Sequence, residues 1–399
     1  MRQTLLSLLI APALLLPSIC AAQSAYPESL LKTKGIFTSD GAAALGQPFR
    51  GIATSDGVIE DLFPLQDTGL STASLAEAGA AFLASLNDIH LSRAHFPVDD
   101  PEWRNWSNVD VGIFARHGVS LEEMDATQKA AAWNLLRVSL SAQGLKTTQD
   151  IMKTEQTLLE LNEESIRYGE EKYYFTVMGI PSATEPWGWQ LDGHHLVINY
   201  FIQGGQVVMT PTFLGGEPVV AKSGKYEGNT ILQDEQNLGL AFMTSLSAEQ
   251  RRLATVQNEK TANAPMAAAN EDNMVLDYVG LPGSALTPAQ KAKLVELIAQ
   301  YVGNMRDDQA AVRMDHVEQH LNETYFSWVG QVNQDAVFYY RVHSPVVLIE
   351  FDHQNPVGTT MINPPGTPTR DHIHTVIRTP NGNDYGKDLL RQHLETHQH

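Results

Sequence analysis

The stretch YYRVHSPVVLIEF, Tyr339–Phe351, decides the fold because it contains two apolar-rich segments joined at a Ser-Pro pair. Side chains alternate between the two faces of a β-strand. A turn at the Ser-Pro pair would set Tyr339 opposite Glu350, and Glu350 would then share a face with Arg341 and His343. The other face carries only apolar and aromatic side chains. The stretch therefore predicts an antiparallel hairpin with one polar face and one apolar face.

A second stretch, GWQLDGHHLVINY at Gly188–Tyr200, aligns with the first without a gap. Its Asp-Gly pair is typical of a tight hairpin turn. In this register His195 lies on the polar face together with Asn199. His194 lies at the hairpin corner, on the side of Trp189. The two adjacent histidines are thus predicted to have different surroundings.

Three further pairs of segments recur in the same order along the chain. They are AAFLASLN (Ala80–Asn87) with LAFMTSLS (Leu240–Ser247), DATQKAAAWNLL (from Asp125) with TPAQKAKLVELI (from Thr287), and KYYFTVMG (Lys172–Gly179) with ETYFSWVG (Glu323–Gly330). Identical residues are few, so the shared order carries the argument. It predicts an α+β fold made by internal duplication, with two similar halves that each contain helices followed by a short antiparallel sheet. The predicted boundaries are 1–22 for a signal peptide, 23–235 for the first half and 236–399 for the second, packed closely on the first.

Hydrophobic periodicity and turn residues predict the individual elements. The predicted strands are Lys172–Met178, Trp187–Asp192, His195–Ile202, Gln206–Thr212, Thr324–Gln331, Val337–His343, Val346–Asp352 and His372–Thr379. The clearest predicted helices are Leu121–Ala142, Asp150–Arg167, Asp234–Leu246 and Pro288–Met305. Residues 258–273 are small and polar, which predicts an exposed connection. Residues 353–371 form a Pro/Gly-rich loop long enough to be a lid or a binding loop.

The N-terminus has the pattern of a secretory signal peptide. Arg2 precedes the apolar run Leu5–Leu16, and small residues follow, so cleavage is expected after Ala21 or Ala22. No other apolar run approaches the ~18 residues that a spanning helix needs. We therefore expect a periplasmic or secreted protein with no membrane insertion after cleavage. The single cysteine, Cys20, lies in the removed part, which excludes disulfides and thiolate chemistry.

The formal net charge of −19 disfavours nucleic acid and anionic membranes as partners. It is compatible with a metal cation or a small-molecule substrate. The chain also lacks the G-x-S-x-G, Walker, H-E-x-x-H and G-x-G-x-x-G motifs. Serine hydrolase, nucleotide-binding and zincin chemistries therefore lose their usual sequence support.

The segment HIHTVIR places His372, His374 and Arg378 on one face of the last predicted strand. Two histidines at positions i and i+2 stand ~6–7 Å apart on the same side of a strand and can chelate one metal ion. His195 and Glu350 would complete the set. Such ligands suit zinc best, while copper and iron stay open. The alternative is a solvated or hydrogen-bonded histidine pair with no metal.

The blocks TEPWGWQLDGHHLVINY, TPTFLGGEP and DHIHTVIRTPNGNDYGKDLL resemble the domain of unknown function 3500 family. The resemblance extends from about Thr72 to His393. It implies that these blocks are hallmarks of the family, and it implies no activity.

These patterns favour an exported metal-dependent enzyme, most simply a hydrolase that acts on a small or anionic substrate. Arg341 or Arg378 would hold an anionic group, and His343 or Glu350 would act as general base. Asp384 would orient a histidine. The candidate substrate contacts are His194, Trp189 and Asn199. A non-catalytic protein that binds a metal or a small ligand is the second hypothesis, and a merely solvated polar face is the third.

Overall fold

The computed structural model describes residues 27–396. The predicted signal peptide, with Cys20, lies outside the described residues. Among residues 27–396, no helix combines the length and the apolar character needed to cross a bilayer.

Ten α-helices are present in the described part of the chain. They are α1 (Glu28–Leu45), α2 (Ala73–Ser85), α3 (Asp88–Ala94), α4 (Ala126–Ser139), α5 (Ala142–Asn162), α6 (Gln233–Ser245), α7 (Ala248–Ala254), α8 (Pro288–Val302), α9 (Asp307–Gln319) and α10 (Lys387–Thr396). Thirteen strands accompany them. They are β1 (His95–Phe96), β2 (Val119–Ser120), β3 (Tyr173–Met178), β4 (Trp187–Gly193), β5 (Leu196–Gln203), β6 (Gln206–Val208), β7 (Thr212–Gly216), β8 (Thr255–Gln257), β9 (Leu281–Pro282), β10 (Tyr325–Gly330), β11 (Phe338–His343), β12 (Leu348–His353) and β13 (Ile373–Arg378).

The capping signals in the sequence mark where helices begin. Asp125 and Thr287 cap α4 and α8, and each forms a capping box with a glutamine three residues later. The predicted helix Leu121–Ala142 is therefore too long, because a 3-10 turn at Leu121–Glu123 precedes the cap. The predicted helix Asp150–Arg167 starts too late, since Ser141 already caps α5.

All thirteen strands belong to one mixed sheet, whose main path is β1-β3-β4-β5-β7-β13-β12-β11-β10-β8. The α+β fold class is confirmed, whereas two separate short sheets are not formed. The antiparallel pairing of β7 with β13 joins the N-terminal and C-terminal strands at the centre of the sheet. Among the thirteen strands of the described chain, β1 and β8 pair in parallel, with β3 and β10 respectively, and the other pairings are antiparallel.

Both hairpin registers differ from the predicted ones. In the first hairpin Gly193 pairs with Leu196, so His194 and His195 are themselves the two turn residues. In the second, the loop spans residues 344–347 and Arg341 pairs with Glu350. That shift of two residues leaves Glu350 on the predicted face, because side chains alternate with a period of two.

The sheet is buried on both faces, which contradicts the hypothesis of a merely solvated polar face. Helices α2, α4, α6 and α8 cover one face. The other face packs against irregular segments and α10, through residues such as Trp106, Met266 and Leu389. Residues 258–273, predicted as an exposed connection, contribute to this cover. Ala267 N donates to Glu350, and Ala264 N donates to Asp352.

Candidate metal centre

The candidate site lies at one end of the two central strands. Strand β7 ends at Gly216, directly before Glu217, and β13 begins at Ile373, directly after His372. The β4–β5 turn, His194-His195, meets them there because Leu196 pairs with Leu214 of β7. His195 adopts a left-handed φ of 60°.

Three imidazole rings converge at this point. Ligand nitrogens of His195, His372 and His374 all lie within 4.8 Å of one another. The Nε2 atoms of His372 and His374 are 3.0 Å apart, close to the ~3.3 Å expected for two nitrogens on one tetrahedral zinc ion. His195 Nδ1 is buried and has no hydrogen-bond partner in the described part of the chain. Gly215 gives the His195 ring its space, since a Cβ there would lie 3.2 Å from His195 Cδ2.

The surrounding loop fixes the orientation of His372. Its Nδ1 lies 2.7 Å from the backbone oxygen of Asn355, which can only accept, so Nδ1 carries the proton. The Nε2 lone pair of the neutral ring is then directed toward His374. Glu217 Oε2 is 3.6 Å from the same Nδ1. Metal-binding histidines in proteins are commonly oriented in this way by a carbonyl or carboxylate behind them.

Glu217 is held ionised by the Pro/Gly-rich loop of residues 353–371. Its carboxylate accepts hydrogen bonds from the backbone N–H groups of Val357, Gly358 and Thr359, and from the Thr359 hydroxyl. Burial alone would raise the pKa of Glu217, but His372 and these donors hold that pKa below its usual value. The loop thus fixes a negative charge beside the His372 ring.

A second acid–histidine pair adjoins the three rings. Glu155 of α5 accepts the Nδ1 proton of His194, with oxygen distances of 2.8 and 2.9 Å. His194 stacks on His195 at 3.8 Å between ring centroids, and on Tyr168 at 5.7 Å. Burial raises the pKa of Glu155, and His194 partly offsets that effect. Within residues 27–396 Nε2 of His194 forms no hydrogen bond, so this nitrogen is available to exchange a proton or to bind a ligand.

The protonation state of the cluster suits a cation. Burial lowers the pKa of His195, His372 and His374, and the neighbouring histidines add to the effect at His195 and His374. All three rings are therefore neutral at pH 7. Neutral imidazole is the form that binds transition metals.

A cavity of about 100 Å³ opens beside the rings. Its polar wall includes Asp110, Arg167, Tyr168 and Asn108. Arg167 is ion-paired to Asp110 at 2.8 Å. The cavity has room for a few water molecules or for one end of a small substrate.

The sequence profile described as protein of unknown function (DUF3500) matches residues 68–387. The chain belongs to this family. No curated protein matches it, and no solved structure matches it either. The matched region contains every residue of the histidine cluster, and the family description carries no activity.

Of the predicted ligands, Glu350 is not part of the cluster. It is fully buried, and its carboxylate accepts hydrogen bonds from the Tyr339 hydroxyl and from the backbone N–H of Ala267. Burial raises the pKa of Glu350. The covering segment that contains Ala267 separates this carboxyl from solvent, so the general-base role predicted for it has no support in the geometry.

Two predicted residues of the C-terminal block form a structural ion network instead. Arg378 is completely buried and pairs with Asp272 at 2.9 Å and with Asp384 at 3.0 Å. Asp384 also accepts from Thr379 N. Because Arg378 and Asp384 form a buried ion pair with each other, Arg378 is not available to an anionic substrate. Asp384 orients an arginine rather than a histidine.

His343 and Arg341 lie near the far end of β11, away from the histidine cluster. The His343 ring contacts Tyr278 at 4.6 Å, and burial followed by the charge of Arg341 lowers the pKa of His343 to about 3. The half-buried Arg341 contacts the backbone oxygen of Asp277 at 3.5 Å. Neither residue lines the cavity beside the cluster.

Two of the three predicted substrate contacts are core residues. Trp189 is fully buried on the helix side of the sheet and stacks on Tyr200 at 5.1 Å. Asn199 is buried too, and its amide is bonded to Gln190 and to the backbone of Pro211. Only His194 lines the cavity.

Sequence reasoning missed Glu155 and Glu217. Glu217 lies in the block TPTFLGGEP, five residues beyond the predicted strand Gln206–Thr212, and an acidic residue in that family-like block was a usable signal. Glu155 carries no such signal, because it is one of many polar residues in a long helix. Its contact with His194 depends on how α5 crosses the end of the sheet.

Proposed function

We propose that the chain binds a divalent transition metal, most simply zinc, through His195, His372 and His374, and acts as a metal-dependent hydrolase. The observation that carries the proposal is the approach of two Nε2 atoms to 3.0 Å, with the His372 proton fixed on Nδ1. Three protein ligands with a fourth position left to water are typical of catalytic zinc. The metal would supply an activated water at neutral pH.

The residues around the cluster have distinct roles in this proposal. His194, with its Nδ1 proton held by Glu155, is suited to exchange a proton at Nε2 with a group in the cavity. Arg167 is the arginine that lines the cavity, and it would hold an anionic group of the substrate at the expense of its contact with Asp110. Glu217 would position His372 rather than react.

The enclosed geometry favours a second candidate, a non-catalytic metal-binding protein. His195 and His372 are both buried, and the adjoining cavity measures only about 100 Å³. A site with no position open to an exogenous ligand would store or sequester the ion without turnover.

Cobalt substitution distinguishes the two candidates. The zinc-free protein is loaded with Co²⁺, and its visible spectrum is recorded before and after addition of azide. A spectrum that changes saturably with azide supports an open coordination position and hence the enzyme. A tetrahedral spectrum that azide leaves unchanged supports the binding protein. Absence of any cobalt spectrum rejects both.

We further propose that the chain acts in the periplasm or outside the cell, since its N-terminal pattern is that of a signal peptide. Fusion of residues 1–30 to a reporter enzyme that is active only after export tests this proposal. Reporter activity outside the cytoplasm is expected, and activity confined to the cytoplasm would contradict export.

Internal duplication is also retained as a proposal, with halves at 23–235 and 236–399. Several equivalent contacts support it. Gln128 donates to Ser85 O at 3.2 Å, and Gln290 donates to Ser245 O at 3.2 Å. The two proposed halves share the order and the strand pairing of ten elements, apart from β6. In the first half these elements are α2-α3-β1-β2-α4-α5-β3-β4-β5-β7, and in the second they are α6-α7-β8-β9-α8-α9-β10-β11-β12-β13.

Glycines occupy matched places in the two proposed halves. Gly118 and Gly280 both have positive φ, and each lies directly against a phenylalanine carbonyl, that of Phe175 and of Phe326 respectively. A side chain at either glycine would collide with that oxygen. Alignment of this chain with distant family members tests duplication, which predicts a glycine at both positions or at neither.

A further inference from the structure

A larger cavity, of about 530 Å³, lies at the opposite end of the central strands from the histidine cluster. It is lined by Thr212 at the start of β7, by Thr210 two residues before that strand, and by Thr379 directly after β13. Helix α9 forms another wall. The volume of the cavity falls within the ~300–1,000 Å³ typical of small-molecule sites. It shares no lining residue with the smaller cavity beside the histidines.

Arg313 of α9 places a positive charge in this cavity. Its Nη2 donates to Val346 O and to Thr379 Oγ1, and both of these acceptors are neutral. Within residues 27–396 Arg313 forms no ion pair, because the nearby Asp384 is already bonded to Arg378. Burial lowers the pKa of Arg313 to about 10. Arg313 is half-buried, and a partly desolvated charge without a charged partner would be stabilised by an anion bound beside it.

The rest of the wall is mainly apolar. Phe63, Met209, Val302, Met305, Ile377 and Leu389 contribute to it. The half-buried His316 meets Phe63 edge-on at 5.4 Å. The cavity therefore suits a ligand that has an apolar body next to a single polar head.

Two exposed carboxylates, Asp61 and Asp315, also line the cavity. They would repel a ligand with negative charge distributed along its length, such as a polyphosphate. One carboxylate beside Arg313 avoids that repulsion, because the planar guanidinium can donate two parallel N–H bonds to it.

We propose that this cavity is a second ligand site, which binds a small organic monocarboxylate with its carboxylate on Arg313 and its apolar chain against α9 and β7. The site is independent of the metal centre. It would be a binding or regulatory site even if no metal is bound at the histidines.

Calorimetric titration with butanoate, hexanoate and octanoate tests the proposal. The His372→Asn/His374→Asn variant is used as the parent, so that carboxylate binding to a metal cannot contribute. Saturable binding of at least one acid is expected, with hexanol and hexylamine binding at least tenfold more weakly than hexanoate. No saturable binding of any acid at millimolar concentration would overturn the proposal.

Variants of Arg313 complete the test. Arg313→Met is expected to weaken carboxylate binding at least tenfold, and Arg313→Lys is expected to weaken it less, because the charge is kept while the fork is lost. The matched control Arg137→Met changes an exposed arginine of α4 and should leave binding unchanged. Circular dichroism checks that each variant is folded. Undiminished binding in folded Arg313→Met and Arg313→Lys would contradict the assignment.

Discussion

The Nε2 atoms of His372 and His374 face each other at 3.0 Å, with their rings inclined at 84°. One of these nitrogens is unprotonated, because the His372 proton lies on Nδ1. Without a metal, His374 must donate its own proton to His372. In the proposed metal centre both nitrogens would bind one ion, and His195 would supply a third ligand.

Replacement of the adjacent turn histidines separates their roles. His195→Gln is expected to abolish metal binding, whereas His194→Gln should keep the ion, because His194 is paired with Glu155 rather than aimed at the other two rings. Metal content per folded chain, measured by elemental analysis, checks this. Loss of the ion in His194→Gln would contradict this assignment and would indicate that Glu155, His194 and His195 bind the metal instead.

Glu217→Gln is expected to weaken metal affinity about 10–100-fold, the usual effect of losing a carboxylate that supports a histidine ligand. The new amide NH₂ would also oppose the donors of Val357 and Gly358. Competition with a chelator gives the dissociation constants. The exposed Glu249→Gln serves as a control, and equal affinity in the two variants would exclude a positioning role for Glu217.

The buried His343 makes stability depend on pH. Its folded pKa of about 3 lies below the ~6.5 of the unfolded chain, so the unfolded state binds more protons between these values. Stability is therefore complete above pH 6.5 and falls as the pH drops toward 3. We expect His343 to account for a loss of about 2 kcal/mol between pH 7 and pH 5.

Urea unfolding of the metal-free protein at both pH values measures this loss. In His343→Gln the difference between pH 7 and pH 5 should be smaller by about 2 kcal/mol. The same difference in both proteins would mean that His343 is already protonated, or exposed, in the folded state.

Asp384→Asn tests the structural role assigned to the ion network. The substitution removes one of the two carboxylate charges that pair with the completely buried Arg378. It should destabilise the fold by about 3–5 kcal/mol. Metal content per folded chain should not change, because Asp384 does not touch the histidines. The exposed Asp335→Asn is the control for stability. Loss of metal in a folded Asp384→Asn protein would instead support the predicted role of Asp384 in orienting a metal-binding histidine.

The sequence predicts those features that depend on local patterns. Helix α8 begins at the predicted Pro288, whereas α4 begins at Ala126 rather than at the predicted Leu121, although the capping residue Asp125 is a local signal for that start. Seven of the eight predicted strands each overlap a single observed strand, since alternation and apolar runs are local too, but the predicted Gln206–Thr212 covers β6 and only the first residue of the central strand β7. The sequence predicts His195, His372 and His374 on one strand face. The three rings do lie close together, but His195 reaches the other two from the β4–β5 turn rather than from a strand.

The features that sequence reasoning missed depend on long-range packing. Which strands meet at the centre of the sheet decides that His372 lies near the β4–β5 turn, while Glu350 lies further along β12. The cover over the second face comes from irregular segments without periodicity, so the burial of Glu350 and Arg378 had no sequence signal. The left-handed φ of His195 likewise placed the turn two residues later than the Asp-Gly pair suggested.

Zinc content of the purified protein tests the central claim most directly. The parent carries His397→Asn and His399→Asn, so that the C-terminal histidines cannot contribute. It is compared by elemental analysis with the same chain bearing His372→Asn/His374→Asn, and with a chain bearing His343→Gln as the matched buried-histidine control. After zinc loading and dialysis we predict one ion per chain in the parent and the control, and almost none in the folded double variant. Equal zinc in all three proteins, or none in any of them, would contradict a metal centre at these histidines.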